Sequence, residues 1–259
     1  MLKFSANLSM LFTEYEFMDR FAHAAKNGFK AVEYMFPYAY SKQQLRDQLD
    51  DHNLTHILHN LPAGNWEQGE RGIACLPNRV SEFQDGVGAA IEYAKLLGND
   101  KINCLIGKTP QDANKQLVDQ TVIDNLSFAA NELKKENIQL LIEPINNYDI
   151  PGFYLQGTEQ ALDLIKSVNS NNLYVQYDIY HMQRTEGELA ETVAKHLNKI
   201  GHIQIADNPG RNEPGSGEIN YEYLFSRIAE LGYKGWIGCE YKPKQSTETG
   251  LKWLKKYQL

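Results

Sequence analysis

Short apolar runs alternate with longer amphipathic stretches along the whole chain, and no other feature restricts its fold as much. Eight runs suit buried strands: 2–6, 31–35, 55–60, 101–106, 139–143, 173–178, 202–206 and 235–240. Between them lie helical patterns, clearest at 82–98 and 121–137, with Gly98 and Asn137 placed where helices commonly end. A further helix is expected over 13–27, with Thr13 and Glu16 in capping-box spacing. Eight units in 259 residues make about 32 residues each, and repeated βα units favour a parallel sheet. Eight such units close most simply into a (β/α)₈ barrel. The expected fold class is therefore α/β, one domain over 1–259, with its active site at the C-terminal face of the strands. The first βα turn, "SANLSMLF", lacks the GxGxxG pattern of an open dinucleotide-binding sheet.

Composition removes several function classes. The formal charge is −7 and no run of Lys or Arg is long enough to track a phosphate backbone, so nucleic acid is not an expected partner. The three cysteines form no CxxC pair, which argues against a disulfide framework or zinc knuckle. Cys104 and Cys239 lie in apolar runs and read as packing residues. The N-terminal stretch lacks the pattern of a signal peptide, and no apolar run approaches the roughly 20 residues of a membrane span. A cytoplasmic protein without a membrane partner is expected, and the sequons at Asn7, Asn53 and Asn125 read as chance.

Two polar segments, 59–79 and 207–221, follow the third and seventh strands, so both belong at the C-terminal face. Polar side chains end the last four strands: Glu143 in "LLIEP", Asp178 in "VQYD", Gln204 in "HIQIAD" and Glu240 in "IGCE". They are separated by 35, 26 and 36 residues, close to one repeat each. In a barrel they converge, and three converging carboxylates repel unless a cation compensates. Three carboxylates and an amide oxygen form a hard set suited to Mg²⁺ or Mn²⁺. Each alone has an ordinary reading as an N-cap or a solvated loop residue; repeat spacing favours a shared site.

His59 and His181 lie at or just beyond strand ends, and His181 follows Asp178 closely enough to reach the same site. His56 and His202 fall within strands and read as core residues; His23, His52 and His196 read as surface. Arg71, Lys108 and Arg211 are candidates for holding a substrate carboxylate, although each alone is equally a solvated loop cation. "GKT" at 107–109 has Ile102 where a P-loop needs glycine, and "PGSGE" at 214–218 lacks the following Lys-Ser/Thr. No nucleotide cofactor is expected.

The segments "HNLPAGNWEQGERGIACLP", "KINCLIGKTP", "LLIEPINNYDIPGF", "VQYDIYHMQRTEGEL", "HIQIADNPGRNEPGSGEINY" and "GCEYKP" closely resemble the hydroxypyruvate isomerase family of the xylose-isomerase-like TIM barrels. That superfamily also holds ketose 3-epimerases and endonuclease IV. The resemblance implies reversible conversion of hydroxypyruvate to 2-hydroxy-3-oxopropanoate, in glyoxylate metabolism, with Glu143 and Glu240 as proton donor and acceptor. It implies Glu143, Asp178, Gln204 and Glu240 as divalent-metal positions, and His59, His181 and Arg211 near the substrate. Gln204 departs from the His common at that position in sugar-isomerising relatives. The competing expectations are a ketose 3-epimerase or other small-sugar isomerase, an endonuclease IV-like phosphodiesterase, and a non-catalytic sugar-binding barrel.

Overall fold

The computed structural model describes residues 1–257. Its strands are β1 (Lys3–Asn7), β2 (Ala31–Glu33), β3 (Thr55–His56), β4 (His59–Asn60), β5 (Lys101–Cys104), β6 (Gln139–Ile142), β7 (Leu173–Asp178), β8 (Ile200–Ile205) and β9 (Trp236–Cys239). All pair in parallel in one curled sheet, in the order β3-β2-β1-β9-β8-β7-β6-β5-β4. The count of nine, where eight were expected, arises because the run 55–60 is interrupted at Ile57 and Leu58. Its halves stand at opposite ends of the strand order yet are almost contiguous in the chain. Around the break, Ile57 N donates to Val32 O at 2.9 Å on one side, and Leu61 N donates to Asn103 O at 2.8 Å on the other.

The helices are α1 (Arg20–Lys26), α2 (Lys42–Asp51), α3 (Val80–Leu97), α4 (Lys115–Lys135), α5 (Thr158–Val168), α6 (Ile179–Thr185), α7 (Leu189–His196), α8 (Tyr221–Glu230) and α9 (Thr247–Gly250). In α3, Phe83, Val87, Ala90, Ala94 and Leu97 recur at three- and four-residue spacing and are all buried, and Gly98 ends the helix in left-handed conformation. Helix α4 starts earlier than its apolar pattern indicates, because the Asn114 side chain caps it by accepting from Leu117 N. The expected helix over 13–27 is corrected to one beginning at Arg20. Phe12 turns into the left-handed region at φ 58°, and its N–H donates to Thr247 Oγ1 at 2.7 Å. That long-range tie overrides the local capping signal at Thr13.

Alternation along the strands separates two environments. Val175, Tyr177, Ile203 and Ile205 join the large apolar cluster shared with the helices. Gln176, Asp178, His202 and Gln204 alternate with them and bond to polar partners from other strands, or in Asp178's case to the helix that follows. Toward the strand starts, Ala31, Ile57, Leu58 and Leu141 form a small apolar plug with Tyr174 and Trp236. Among the described residues no helix is long and apolar enough to cross a membrane.

Candidate active site

Strands β6, β7 and β9 deliver three buried carboxylates to one end of the sheet: Glu143, Asp178 and Glu240. Glu143 and Glu240 each lie one residue past the end of their strand, a small correction to the expected boundaries. Pro144 disfavours helical geometry at Glu143, so the extended path continues to the carboxylate. Asp178 performs its ordinary and its special task together. Its Oδ1 caps α6, accepting from Tyr180 N at 2.8 Å and His181 N at 3.4 Å. Its Oδ2 is buried and lacks any hydrogen-bond partner. His181, carried on the first turn of α6, brings Nε2 to 3.7 Å from that Oδ2 and 4.0 Å from Glu143 Oε1.

Arg211 supplies the local positive charge. Its Nη2 lies 2.9 Å from Glu240 Oε2 and 3.6 Å from Asp178 Oδ2. The 207–221 loop holds Arg211 in left-handed conformation at φ 53°, a strained backbone for a non-glycine residue. Two anchors maintain it. Lys242 N donates to Arg211 O at 2.8 Å, and buried Asp207 accepts from the N–H groups of Asn208, Gly215, Gly217 and Ile219 at 2.8–3.1 Å. A cavity of about 570 Å³ opens above, lined among others by Glu143, His181, Arg211, Glu240, Arg71 and Trp66.

Burial, and then repulsion from Glu240 and Asp178, push the Glu143 carboxyl well above its ordinary range despite Arg211 and Asn103. Burial likewise pushes Asp178 up against the pull of Arg211, and it pushes Glu240 up to about 8. His181 is held well below the ordinary histidine value by burial and by Arg211 and Arg184. Three carboxylates facing one guanidinium leave an excess of negative charge, and Asp178 Oδ2 has no donor. Glu143, Asp178 and His181 present ligand atoms within 4.8 Å of one another. The carboxylate oxygens of this group, with Glu240 beside them, fit a divalent cation.

These shifts carry a stability prediction. Glu143 and Glu240 bind protons more tightly folded than unfolded, so their stabilising share is full below the ordinary glutamate value. It is lost as the pH rises toward about 8, the value for Glu240. The Tm of chelator-treated protein is expected to fall over the upper part of that window, from about 6.5 to about 8, and to recover on adding Mg²⁺. A Tm that rises over that upper part contradicts the assignment. Glu33 acts in the opposite sense at more acid pH, and the buried histidines His56, His59 and His181, held below their ordinary value, do so up to about 6.5.

Beneath the carboxylates lies a polar layer that sequence reasoning passed over. Glu33, fully buried on β2, accepts from Ser5 Oγ at 2.8 Å, His202 Nε2 at 2.9 Å, Gln204 Nε2 at 2.7 Å and Asn7 Nδ2 at 3.3 Å. Burial pushes Glu33 up, but His202 and hydrogen bonds from His202, Gln204 and Ser5 outweigh it and hold the carboxyl below its ordinary range. Gln176 Nε2 donates to Gln204 Oε1 at 2.7 Å and to Glu143 Oε2 at 2.9 Å, and Asn103 Nδ2 donates to the same Glu143 oxygen at 3.0 Å. Asn7 also reaches Glu240 Oε1 at 3.3 Å, so one network touches both glutamates. Gly238 makes room for it, because a Cβ there would collide with the Glu33 carboxylate. Gly238→Ala is expected to cost about 1–3 kcal/mol in urea unfolding; an unchanged midpoint would show that Glu33 is not confined.

The expected site residues divide clearly. Glu143, Asp178, His181, Arg211 and Glu240 come together, and Arg71 lines the same cavity. Arg71 lies over the Trp66 ring at 3.9 Å, and its Nη1 donates to Trp66 O and Glu70 O. Gln204 sits in the layer below, tied between Gln176 and Glu33. Two expectations are corrected. His59 is fully buried and stacks on His56 at 5.3 Å, because Asn60, not His59, takes the inward position on β4. Burial lowers its pKa to about 4. Lys108 is exposed and outside the cavity lining, its backbone paired with Phe153. The 59–79 loop is closed on itself by Gly72 N donating to Ala63 O, and it is fastened to the barrel by Cys75 N donating to Ile106 O. Gly72, at φ 118°, leaves no space for a side chain against Leu105 O.

A strand-end site over a curled parallel sheet defines a class, and sequence comparison agrees with it. The xylose isomerase-like TIM barrel family model matches residues 21–257. Hydroxypyruvate isomerase of Escherichia coli (strain K12) is 60% identical over 258 residues, covering 100% of both chains. 2-Oxo-tetronate isomerase of Cupriavidus necator is 47% identical, covering 99% of both. A crystal structure titled AP endonuclease, family 2, from Brucella melitensis superposes with a TM-score of 0.97 at 41% identity, covering 99% of both chains. The chain belongs to the xylose isomerase-like TIM-barrel family and, within it, to the isomerases.

Proposed function

We propose that the protein interconverts hydroxypyruvate and 2-hydroxy-3-oxopropanoate through an enediolate, with Glu143 and Glu240 exchanging protons with the substrate carbons. We read the whole chain as one catalytic domain, with the interrupted run 55–60 counted as one strand of an eightfold barrel. The observation that carries the proposal is the pair of buried glutamates, both shifted upward, on either side of Asp178, His181 and Arg211.

Moving the carbonyl from C2 to C3 removes a proton from C3 and delivers one to C2, while the hydroxyl proton on O3 passes to O2 across the enediolate. A carboxylate with a raised pKa is a stronger base when ionised and a usable acid when protonated near neutral pH. Glu143 keeps Oε2 engaged with Asn103 and Gln176, which leaves Oε1 toward the cavity as the transferring atom. Glu240 holds its carboxylate on Arg211 and Asn7. Negative charge developing on the enediolate oxygens is met by Arg211 and by hydrogen bonding from His181. Arg211, with Arg71 at the mouth, is the cation we assign to the substrate carboxylate. Glu143, Asp178 and Glu240, with Gln204 Oε1 beneath them, are the oxygens we assign to Mg²⁺ or Mn²⁺. Such an ion supplies Lewis-acid stabilisation of the enediolate.

A second substrate, 2-oxo-tetronate, is favoured by the identity to Cupriavidus necator 2-oxo-tetronate isomerase and by a cavity of about 570 Å³, larger than a three-carbon anion requires. A phosphodiesterase reading, which the name of the Brucella melitensis protein suggests, is weaker, because a formal charge of −7 opposes a polyanion. The test is a coupled assay on hydroxypyruvate, 2-oxo-tetronate and a ketose, with chelator and then with Mg²⁺ or Mn²⁺ restored. Preference for hydroxypyruvate and metal-dependent recovery are expected; no turnover of either acid under any metal condition refutes the proposal.

A further inference from the structure

The group Glu143, Asp178 and His181 offers a nitrogen alongside two carboxylates. Whether that nitrogen is a metal ligand depends on which ring nitrogen carries the proton, and a residue outside the reacting groups decides it. Asn146, fully buried after β6, brings Nδ2 to 2.6 Å from His181 Nδ1. Its amide orientation is set independently, because Oδ1 accepts from Tyr148 N at 3.1 Å and Asp149 N at 2.9 Å. The same Nδ2 also lies 3.3 Å from Asp149 Oδ2, again a donor facing an acceptor. Turning the amide over would set its NH₂ against two backbone N–H groups and its oxygen against a carboxylate. Asn146 therefore has only a donor to offer His181.

We infer that Asn146 is a positioning residue that fixes His181 with a bare Nδ1 and a protonated Nε2, making His181 a hydrogen-bond donor into the site and not a metal ligand. An N–H facing the Asn146 NH₂ would set donor against donor at 2.6 Å. The Nε2–H then points toward Glu143 Oε1 and Asp178 Oδ2, both acceptors. Metal-bound histidines show the reverse arrangement, in which the remote nitrogen donates to a carboxylate or carbonyl and the near one gives its lone pair to the ion. A cation in this cavity is consequently left to oxygen ligands, which favours hard ions over zinc. The inference rests on the proposed function only for the use made of the donor, a substrate oxygen.

The test is a long-range ¹H–¹⁵N spectrum of the full chain labelled in histidine, with His181 assigned from the signal missing in His181→Gln. A protonated Nε2 and bare Nδ1, unchanged on saturation with Mg²⁺, are expected. A bare Nε2, or loss of its proton when Mg²⁺ binds, overturns the inference. Asn146→Asp replaces the donor by an acceptor and should move the proton to Nδ1. In that variant kcat should fall on the order of 10²-fold, while Zn²⁺ binding by calorimetry tightens at least about tenfold. Wild-type tautomer and rate in Asn146→Asp would remove the positioning role. If the wild type has the expected spectrum but turns over neither acid, the inference stands and the proposed reaction fails.

Discussion

Glu143→Gln is expected to lower turnover about 10³-fold while leaving the fold intact. Glutamine has nearly the same shape, and its oxygen can accept from Asn103 and Gln176, which now hold Glu143 Oε2 at 3.0 and 2.9 Å. The lost atom is the free Oε1, to which the proposal gives the roles of base and ligand oxygen. Removing one of three repelling buried carboxylates should also raise the Tm of chelator-treated protein near pH 8, the region to which Glu240 is shifted. Activity and stability thus move in opposite directions, which a folding defect cannot produce. Turnover near the wild-type rate would remove Glu143 from the chemistry.

Arg211→Met tests the other pole of the site. Its guanidinium is the charge nearest Glu240 and Asp178, at 2.9 and 3.6 Å, and it faces the cavity. A hydrogen bond to a charged group contributes about 1.5–3 kcal/mol, so losing the hold on the substrate carboxylate should raise KM roughly tenfold to a hundredfold. The enediolate also loses a stabilising charge, so kcat falls as well. Arg71→Met should do less, because Arg71 already lies on Trp66 and donates to two backbone carbonyls. An unchanged KM in Arg211→Met, with a raised one in Arg71→Met, would transfer the substrate carboxylate to Arg71.

Much of this arrangement was legible in the sequence because period and function coincide. The βα repeat brings Glu143, Asp178 and Glu240 to one end of the sheet, and repeat spacing was their signal. Gln204 has the same spacing but lies in the layer below, since hydrogen bonding to Gln176 and Glu33 holds it there. The missed layer had a signal in part of the same kind. Asn7, Glu33, Asn60 and Asn103 close or nearly close the earlier strands of the structure. Asn7 and Asn60 answer to a strand-end rule, whereas Glu33 and Asn103 fall inside the expected runs 31–35 and 101–106, where a polar residue interrupting an apolar run was the signal. The fate of His59 was not legible: the break at Ile57 and Leu58 decides which neighbour faces inward, and alternation assumes an unbroken strand. Asn146 and Asp207 carry no pattern at all. Their roles come from loop backbone N–H groups that only the folded chain collects around them.

The central claim is that hydrogen moves between carbons as a proton held by enzyme carboxylates. Turnover of hydroxypyruvate in D₂O, with the product trapped by reduction and analysed by mass spectrometry and NMR, tests it directly against an enzyme-free control. Delivery to C2 from a glutamic acid that equilibrates with solvent between turnovers predicts deuterium at C2 of 2-hydroxy-3-oxopropanoate in Mg²⁺-loaded wild type, and none above the control in Glu143→Gln. Product formed at the full rate with no deuterium at C2 would mean direct hydrogen transfer between the carbons, and would contradict the account.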